Sequence, residues 1–523
     1  MSTATPTDRQ PGQPRAALRV LAGLVAALAA VGVGHGVAGL VDPVASPLFA
    51  VGSTLIDAAP TPAKEFAVRT FGTNDKPILL ASIGAVLLVF AAILGLIAWR
   101  HRRIALAGIS LLGVVGIATA VSRGSLVDAV PSLIAGIVGV LALSWLSTRG
   151  AQRAGGSSTA GGSSTAGGSR RGFLMALGVT TAVAALGGVG GIVLGRVREA
   201  ASAARRIAGL PAPASAAAAI PAGAQLDVAG ITPFTTPTDE FYRVDIALVT
   251  PRVNVESWSL SIDGMVDNPI TLTYDDLLQM PMIERNITLT CVSNEVGGSY
   301  LGSTRWLGVP FSEIIKRVGV QPGVEQAYSY SSDSGYTCST PFQALSDGRD
   351  AMIVVGMNGE VLNDTHGFPA RMLVPGLFGF VSATKWLERI EFTTYAARSA
   401  YWTDRKWATD SPILTQSRID VPKSLSTLAK DKPVIAGVAW AQHRGVEKVE
   451  VRIDEGPWQE AKLAVDAGVD LWRQWSFVYD GPAGLHSAQV RATDATGETQ
   501  PEERTKVFPS GARGWHQIQF TSE

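Results

Sequence analysis

Long apolar runs without a single charged residue dominate the first part of the chain. Five such runs occur, at about residues 20–41, 78–99, 104–122, 129–148 and 172–195. A helix needs roughly 20 residues to cross a hydrocarbon core of about 30 Å, and each run is close to that length. The pattern therefore predicts an all-α transmembrane bundle of about five spans, with four spans in residues 1–150 and the fifth at 172–195.

Basic residues flank these spans unevenly. Positive residues are retained on the cytoplasmic side of a membrane. Three clusters fit on that side: Arg15 with Arg19; Arg100 with Arg102 and Arg103; and Arg149, Arg153, Arg170 and Arg171. The fifth span then leads out of the cytoplasm. We therefore expect a multi-pass protein of the cell membrane whose chain after about residue 200 is extracytoplasmic.

Residues 151–171 separate the fourth and fifth spans. Residues 154–169 read AGGSSTAGGSSTAGGS, which offers no side chain for a core and predicts a flexible tether. The run Ser169-Arg170-Arg171-Gly172-Phe173-Leu174 resembles a twin-arginine export signal, which exports proteins already folded in the cytoplasm. The alternative is an ordinary positive flank of the span. After the fifth span, an Ala/Pro-rich stretch at 196–230 predicts a link to a soluble region.

From about residue 225 the apolar residues recur every second position. Trp258, Leu260 and Ile262 alternate with polar residues, as they do in a half-buried strand. Thr273 begins a short helix by capping, and Pro281 ends it. Farther along, Asn358-Gly359 is the dipeptide preferred in a two-residue hairpin turn.

Another alternating strand ends at a cysteine. Ile287, Leu289 and Cys291 share one face of this strand, and the threonines at 288 and 290 share the other. The strand leads into the polar, Gly-containing loop 293–298. We therefore expect a thiol at the mouth of this loop.

Residues 425–523 consist of strand after strand. Short alternating strands separated by Gly and Pro turns favour an all-β sandwich. The predicted strands run from Val434 to Trp440, Val446 to Ile453, Trp472 to Tyr479 and His486 to Thr493.

Composition and charge separate the two halves further. The 523-residue chain is 46% hydrophobic and 17% charged, which excludes a disordered polar chain. Lys plus Arg equals Asp plus Glu at 44 each, yet residues 1–200 hold 16 basic and 7 acidic residues, and the remainder holds 28 and 37. A basic membrane region thus precedes an acidic, enzyme-sized soluble region, for which we expect no nucleic-acid partner.

The chain has two cysteines, Cys291 and Cys338, both in the region expected to be exported. A pair of cysteines in an oxidising compartment commonly forms a disulfide. The region is long enough to bury a core without a disulfide, however, so two further interpretations stay open. Both thiols could be buried and free, or one thiolate could serve as a soft metal ligand.

An ordered set of short motifs runs through residues 235–395. The motifs are Thr288 to Asn294 (TLTCVSN), Arg305 to Val309 (RWLGV), Met357 to Gly359 (MNG), His366 to Arg371 (HGFPAR), Val374 to Gly376 (VPG) and Thr384 to Leu387 (TKWL). Together they resemble the molybdopterin domain of the sulfite oxidase family. The resemblance implies an α+β domain of mixed sheets at 231–400, followed at 425–523 by an immunoglobulin-like domain of the kind that often mediates dimerisation.

The same resemblance implies a molybdenum–molybdopterin cofactor. In the family a conserved cysteine thiolate binds molybdenum beside the two dithiolene sulfurs, and Cys291 is the matching position. Tyr336 matches a tyrosine that faces the metal. The cofactor contacts implied by the resemblance are Tyr242, Arg243, Asp245, Cys291, Asn294, Asp333, His366, Arg371, Thr384 and Lys385. The match at 241–245 is loose because the arginine is displaced by one position, and an inserted serine disturbs the match at Asp333.

One departure from the family concerns the substrate. Sulfite oxidases carry arginines just after the Asn of the cysteine loop, whereas Glu295 and Val296 follow Asn294 here. A carboxylate at this place repels sulfite. Arg305 is the candidate catalytic residue that could compensate, and the substrate is left open.

The sequence thus predicts a membrane-anchored, extracytoplasmic molybdopterin-dependent oxidoreductase. It would transfer an oxygen atom in a two-electron step between a small oxo donor or acceptor and molybdenum, with an unknown electron-transfer partner and a possible homodimer. Within this class the reverse direction, reduction of a sulfoxide-like acceptor, is the runner-up. The alternative from another class is a non-catalytic membrane-anchored binding or adhesion protein with a Cys291–Cys338 disulfide.

Overall fold

The computed structural model describes residues 16–71, 74–122, 126–151, 166–205, 209–333, 335–428, 431 and 433–523. The chain forms two compact units. The first is Met1–Arg205 with Ile246–Val249, and the second is Arg206–Asp245 with Thr250–Glu523.

The first unit is helical. Among the described residues, five helical stretches are long and apolar enough to cross a membrane: Ala16–Leu40, Asp75–Ile97, Arg102–Val121, Leu126–Thr148 and Gly172–Val193. They coincide with the five predicted runs, so the prediction of five long apolar helices is confirmed. The helices of this unit are α1 Ala16–Leu40, α2 Pro47–Ala58, α3 Thr61–Phe71, α4 Asp75–Ile97, α5 Arg102–Val121, α6 Val130–Ala151 and α7 Ala166–Arg205.

Small residues let these helices approach closely. A Cβ added at Gly23 of α1 would lie 2.8 Å from the Cα of Gly95 in α4, and one added at Gly187 of α7 would lie 2.7 Å from the backbone of Gly32. Helix α1 therefore packs backbone to backbone against both neighbours, as small residues permit in membrane helices.

The tether before the fifth span and the Ala/Pro-rich stretch after it are described to different extents by the structure. Most of the predicted tether lies outside the described residues, since 152–165 are not among them. Helix α7 begins at Ala166, so Arg170 and Arg171 belong to it, and it continues to Arg205, so the start of the Ala/Pro-rich stretch is helical. The described residues 209–230 form neither a helix nor a strand, and the Ala214 N–H donates to the Met282 carbonyl at 2.8 Å.

Two sheets of short strands form the first part of the second unit, and only the first of them is mixed, through the parallel pair β1–β10, whereas the pairs of the second are antiparallel. One has the order β2-β1-β10-β5-β6 and the other β3-β4-β7-β8, with β9 paired to β7. The elements are β1 Ser259–Gly264, β2 Ile270–Thr273, α8 Tyr274–Gln279, β3 Ile283–Thr290, β4 Leu301–Pro310, α9 Phe311–Val318, β5 Gln326–Ser331, β6 Thr337–Pro341, α10 Gln343–Ser346, β7 Met352–Met357, β8 Glu360–Val361, β9 Arg371–Leu373, β10 Leu387–Thr393 and α11 Tyr401–Asp404.

Local sequence signals explain several of these elements. Thr273 caps α8 in a capping box with Asp276, as expected from its position before the helix. Asn358 and Gly359 both have positive φ, 53° and 83°, and join β7 to β8 as the predicted hairpin turn. Strand β1 buries Leu260 and Ile262 and exposes the residues between them more.

The C-terminal part of the second unit is built of two further sheets. Their strand orders are β11-β13-β17-β16 and β12-β19-β18-β14-β15, and side chains of both sheets share one core around Trp475, Val490 and Phe520. The strands are β11 Gln416–Val421, β12 Ser426–Thr427, β13 Val434–Trp440, β14 Val446–Ile453, β15 Gln459–Glu460, β16 Lys462–Leu463, β17 Arg473–Val478, β18 Gly484–Asp494 and β19 His516–Ser522. The four predicted strands are present. Strand β11 lies before residue 425, so this pair of sheets begins earlier than the sequence pattern indicated.

Candidate active site

Cys291 lies directly after β3, where that strand turns away from β4. Its N–H donates to the Tyr300 carbonyl at 2.9 Å, and its carbonyl accepts from the Asn294 N–H at 3.0 Å. Ile287 and Leu289, on the same face of β3, are buried in the core. Cys291 itself is 7% exposed. The alternation of β3 therefore carries the thiol inward at the strand end, as expected.

Both cysteines are free thiols. Cys338 lies on β6 with no exposed surface, and its Sγ donates to the Phe380 carbonyl at 3.3 Å. Burial raises the pKa of each thiol, so both are protonated near neutral pH in the protein alone. The disulfide of the adhesion-protein alternative is absent, and Cys338 is a small buried residue beside Tyr336.

Tyr336 points its hydroxyl group to the same carbonyl. Its OH donates to the Phe380 oxygen at 3.3 Å. Burial, together with the charges of Cys338, Asp333 and Cys291, raises the pKa of Tyr336 well above its ordinary value. The phenol of Tyr336 therefore keeps its proton and can act as a hydrogen-bond donor in the neighbourhood of Cys291 and Cys338.

Asp333 supports the backbone of this turn. Its Oδ1 accepts from the Tyr336 N–H at 3.1 Å. Burial raises the pKa of Asp333 to about 6, and the charge of Asp245 acts in the same direction. The carboxyl group thus changes charge within reach of physiological pH.

Arg371 is a buried cation on β9. Its Nη1 donates to the His366 carbonyl at 3.2 Å, its guanidinium lies 5.1 Å from the centre of the Trp306 ring, and burial lowers its pKa to about 10. Within the described part of the chain, its Nε has no hydrogen-bond partner and no carboxylate lies within ion-pair distance of it. A buried guanidinium with a spare donor is suited to an anionic ligand.

Lys385 and Arg243 share one carboxylate. The Lys385 Nζ lies 2.7 Å from Asp245 Oδ2, and the Arg243 Nε lies 2.8 Å from the same oxygen. The side chains of Lys385 and Asp245 are 10% and 4% exposed. Burial lowers the pKa of Lys385 to about 8, although Asp245 opposes this. Lys385 also acts electrostatically on Cys291, where it favours the thiolate.

His366 is a neutral residue that fixes a neighbouring segment. Its Nε2 donates to the Thr238 carbonyl at 2.8 Å, and its ring meets Phe241 edge to face at 5.7 Å. Burial and the charges of Arg371 and Lys385 lower the pKa of His366 to about 4. It is therefore uncharged at neutral pH and holds the segment that carries Tyr242.

The other candidate cofactor contacts, Tyr242, Asn294 and Thr384, make different interactions within the protein. The buried Tyr242 stacks on Phe241 at 5.1 Å, and its pKa is raised by burial and by Cys291. The Asn294 side chain accepts from the Tyr300 N–H at 2.8 Å and so closes the loop after Cys291. The Thr384 hydroxyl is fully buried and lies 2.7 Å from that of Ser329.

Arg305 is not brought together with the other predicted site residues. It lies on β4 opposite Asn286 of β3, about 16 Å along the strand from Cys291 at roughly 3.3 Å per residue. Its side chain is 46% exposed, and its Nε lies 3.2 Å from Glu284. The structure gives no support to a compensating role of Arg305 beside Glu295, which is itself exposed.

Some functional groups could not be found by motif reasoning. The carbonyl of Phe380 receives both Tyr336 and Cys338, and the carbonyl of Thr238 receives His366. These acceptors belong to the backbone, so no side chain marks them in the sequence. Trp306 lies within a motif, but its position against Arg371 depends on β4 and β9 meeting across β7.

The charges and donors of the site fit an anionic cofactor that brings its own metal ligands. Arg243 and Lys385 share the carboxylate of Asp245, whereas Arg371 is a buried cation that has no carboxylate within ion-pair distance among the described residues. The described part of the chain contains no group of three or more His, Cys, Asp or Glu that could hold a metal ion. A metal at Cys291 therefore requires further ligands from a cofactor, and a buried thiol is a suitable soft ligand.

This chain is similar to several known proteins. A family model described as "Oxidoreductase molybdopterin binding domain" matches residues 247–402. The sulfite oxidase of Arabidopsis thaliana is 25% identical over 350 residues, which cover 55% of this chain and 88% of that protein. The NADH nitrate reductase of Solanum lycopersicum is 27% identical over 319 residues, 48% of this chain and 34% of that protein. The crystal structure of the sulfane dehydrogenase SoxCD from Paracoccus pantotrophus covers 55% of this chain and 82% of its own, with a TM-score of 0.48 and 23% identity.

Proposed function

We propose that this chain, a molybdopterin-dependent oxidoreductase of the sulfite oxidase family, carries out two-electron oxygen-atom transfer at a molybdenum bound by Cys291. The observation that carries the proposal is a buried free thiol at the end of β3 beside buried cations that one carboxylate cannot neutralise. When bound, the cofactor supplies a soft metal that exchanges an oxygen atom with substrate and stores two electrons.

The residues of the chain would bind the cofactor and orient the substrate. Cys291 must lose its proton to serve as a ligand, and the charge of Lys385 lowers the cost of that step. Arg371, Lys385 and Arg243 offer donors to the anionic part of the pterin. Tyr336 holds its proton on a 3.3 Å hydrogen bond to a backbone carbonyl, which is long enough to be exchanged for one to a substrate oxygen.

The charge pattern favours a neutral oxo compound over sulfite. Glu295 is exposed in the loop after Cys291, and Arg305 is paired with Glu284 elsewhere on the sheet. A sulfoxide-like substrate carries no net charge and is not repelled by a carboxylate. In that direction the substrate oxygen leaves as water with two protons, and a one-electron carrier supplies the two electrons in turn.

The long apolar helices support membrane anchoring. On the charge asymmetry of the flanking residues, the catalytic domain is extracytoplasmic, and Arg170 and Arg171 act as part of an export signal. In this proposal the two C-terminal sheets form an immunoglobulin-like sandwich. Through this domain two copies of the chain form a homodimer.

Replacement of the proposed metal ligand tests the function. We expect the purified wild-type chain to contain about one molybdenum atom and Cys291→Ser to lose most of it, because a hydroxyl is a poor soft-metal ligand. Cys338→Ser is the matched control and should keep its molybdenum, since the Cys338 thiol contacts the Phe380 carbonyl and neighbouring hydroxyl groups, with which a serine can also form hydrogen bonds. Elemental analysis of the three proteins measures this. Equal molybdenum in Cys291→Ser and wild type would reject the ligand assignment.

Turnover with artificial one-electron carriers tests the substrate class. Faster reduction of a sulfoxide than oxidation of sulfite is expected from the position of Glu295. Turnover with sulfite and none with sulfoxides would reject the charge argument and leave the cofactor assignment intact.

A further inference from the structure

Strand β3 has a second buried face, opposite the one that carries Cys291. Thr288 Oγ1 accepts from the Trp472 N–H at 2.9 Å, and the Thr288 N–H donates to the Asp470 carbonyl at 2.9 Å. Thr290 Oγ1 accepts from Gln442 Nε2 at 3.0 Å. Both threonines are 1% exposed. Segments adjoining β13 and β17 of the C-terminal sheets therefore bind β3 within three residues of Cys291, on the face away from the thiol.

The loop after Cys291 is bound by the same sheets through Arg418 of β11. Arg418 Nη1 donates to the Gly298 carbonyl at 2.7 Å, and its Nη2 donates to Thr232 Oγ1 at 2.8 Å. Its Nε lies 2.7 Å from Asp420 Oδ1, and the two side chains are 10% and 3% exposed. A buried guanidinium held by a carboxylate has few alternative positions, so it places the Gly298 carbonyl firmly.

His516 of β19 makes the second contact with this loop. A Cβ added at Gly297 would lie 2.4 Å from the His516 ring, and Gly297 has φ +79°. The Ile419 N–H donates to His516 Nδ1 at 3.0 Å, which fixes the ring. Only glycine satisfies both the backbone conformation and the close approach at this position.

Hydrogen bonds inside the loop connect these contacts to Cys291. The Gly298 N–H donates to the Glu295 carbonyl at 2.8 Å, and the Asn294 N–H donates to the Cys291 carbonyl at 3.0 Å. Asn294 Oδ1 accepts from the Tyr300 N–H at 2.8 Å. A displacement of the loop at Gly298 is therefore passed to Asn294 and to the thiol.

We propose that Arg418 and His516 of the C-terminal sheets are positioning residues that hold the loop 291–300, and so the Cys291 thiol, in place for the cofactor. The contact between the sheets and the loop stands on the geometry alone. Its catalytic consequence rests on the proposed function of Cys291.

The cofactor-free full chain tests the positioning without any catalysis. In Arg418→Lys, the lysine retains the charge beside Asp420 but cannot also reach Gly298 and Thr232. We expect Cys291 to be alkylated by iodoacetamide several-fold faster than in wild type, while Cys338 stays protected and reports an intact core. The matched control is Arg444→Lys, because Arg444 pairs with Asp494 at 2.8 Å in the same sheets and donates to Ile413 instead of the loop. Cys291 alkylation equal to that of wild type in Arg418→Lys would overturn the proposal.

A second variant addresses the His516 contact and guards against a misfolded Arg418→Lys. Gly297→Ala should accelerate Cys291 alkylation in the same way. Gly348→Ala is its control, since Gly348 has φ +94° with no atom within 4 Å of an added Cβ, so it shares the backbone strain without the clash. Equal acceleration in both glycine variants would show backbone strain rather than a contact and would contradict the role of His516.

The holoenzyme tests the consequence for the metal. Per molybdenum atom, Arg418→Lys should lower kcat roughly tenfold or more with a smaller change in KM, because small misplacements of a reacting group can cost about 100-fold. Its Mo(V) electron paramagnetic resonance spectrum should also differ from that of Arg444→Lys. If Cys291 is alkylated faster in Arg418→Lys but the spectrum and kcat are unchanged, the contact between Arg418 and the loop stands and its catalytic role is rejected. If the wild-type protein binds no molybdenum, only the proposed function is rejected.

Discussion

Burial and hydrogen bonding act in opposite directions on the single carboxyl group of Asp333. Burial raises its pKa to about 6, whereas the Tyr336 N–H and the Ser331 side chain favour the charged form. Burial prevails because one backbone N–H and one side-chain hydroxyl replace much less solvation than water provides. The two cysteines show the same dependence on surroundings: Cys338 is enclosed by hydroxyl groups and a carbonyl, while Cys291 lies at a loop beside a lysine.

The raised pKa of Asp333 predicts a pH-dependent stability. The folded, cofactor-free chain holds this proton up to about pH 6, whereas the unfolded chain releases it near pH 4, so the free energy of unfolding falls as pH rises between these values. Asp333→Asn removes the titration and can still accept from the Tyr336 N–H. Its stability relative to wild type should rise through this window by up to about 3 kcal/mol.

Thermal unfolding of both proteins from pH 4 to pH 7 in detergent measures the difference. The two midpoints should diverge as pH rises, with the variant higher above pH 6. Parallel curves would show that Asp333 is not buried as a protonated acid.

The hairpin β7–β8 shows how a predicted element acquires a further role. Asn358 occupies the turn with positive φ, as Asn-Gly indicates. Its side chain also donates to the Thr236 carbonyl and to Thr238 Oγ1, both at 3.1 Å. Thr238 in turn accepts from His366. One turn residue thus connects β7 to the segment that carries Tyr242.

Asn358→Gly separates these two roles. Glycine adopts the same backbone conformation at no steric cost, so the turn should persist while both donated hydrogen bonds and the one accepted from the Thr304 hydroxyl are lost. We expect a loss of roughly 3 kcal/mol in the free energy of unfolding, at about 1 kcal/mol per hydrogen bond. Urea unfolding of the cofactor-free chain measures it, and Asn358→Asp, which keeps only the accepted hydrogen bond, should not restore the part lost with the two donated bonds. If Asn358→Gly is as stable as wild type, Asn358 serves only to form the turn, and its side-chain hydrogen bonds do not contribute to stability.

The whole chain combines a basic, apolar half with an acidic half that contains the catalytic domain. Residues 1–200 carry 16 basic and 7 acidic residues, while the remainder carries 28 and 37. Charges of this kind act on orientation in a membrane and on solubility rather than on the fold. The five long helices are long and apolar enough to cross a membrane, and this property does not depend on the orientation of the soluble part.

Export of the catalytic domain can be tested at the arginine pair. Arg170→Lys with Arg171→Lys preserves the positive charge of the flank but removes the twin-arginine motif. If the motif directs export, protease added to spheroplasts should digest the domain of the wild type and leave that of the variant intact. Arg149→Lys with Arg153→Lys, in the same interval between spans, is the control and should be digested like wild type. Equal digestion of all three proteins would show that Arg170 and Arg171 act only as a positively charged flank of the fifth span and not as an export motif.

Much of the local structure follows from short stretches of sequence. The apolar runs specify the long helices, because any helix of that length and composition buries its surface in lipid or protein. The cap at Thr273, the turn at Asn358 and the alternation of β3 depend on residues within a few positions of each other. The motifs likewise locate Cys291, Tyr336, Arg371 and Lys385 in one domain, through their resemblance to a family.

Contacts between distant residues depend instead on how the elements pack. Asp245 lies between Arg243 and Lys385, 140 residues farther along, while Arg305 is carried away from the site by the register of β4 on β3. Arg418 reaches Gly298 across 120 residues. A local pattern sets which side of a strand a residue faces. The distance from that residue to a partner on another element is set by register, sheet order and domain packing, to which the entire chain contributes.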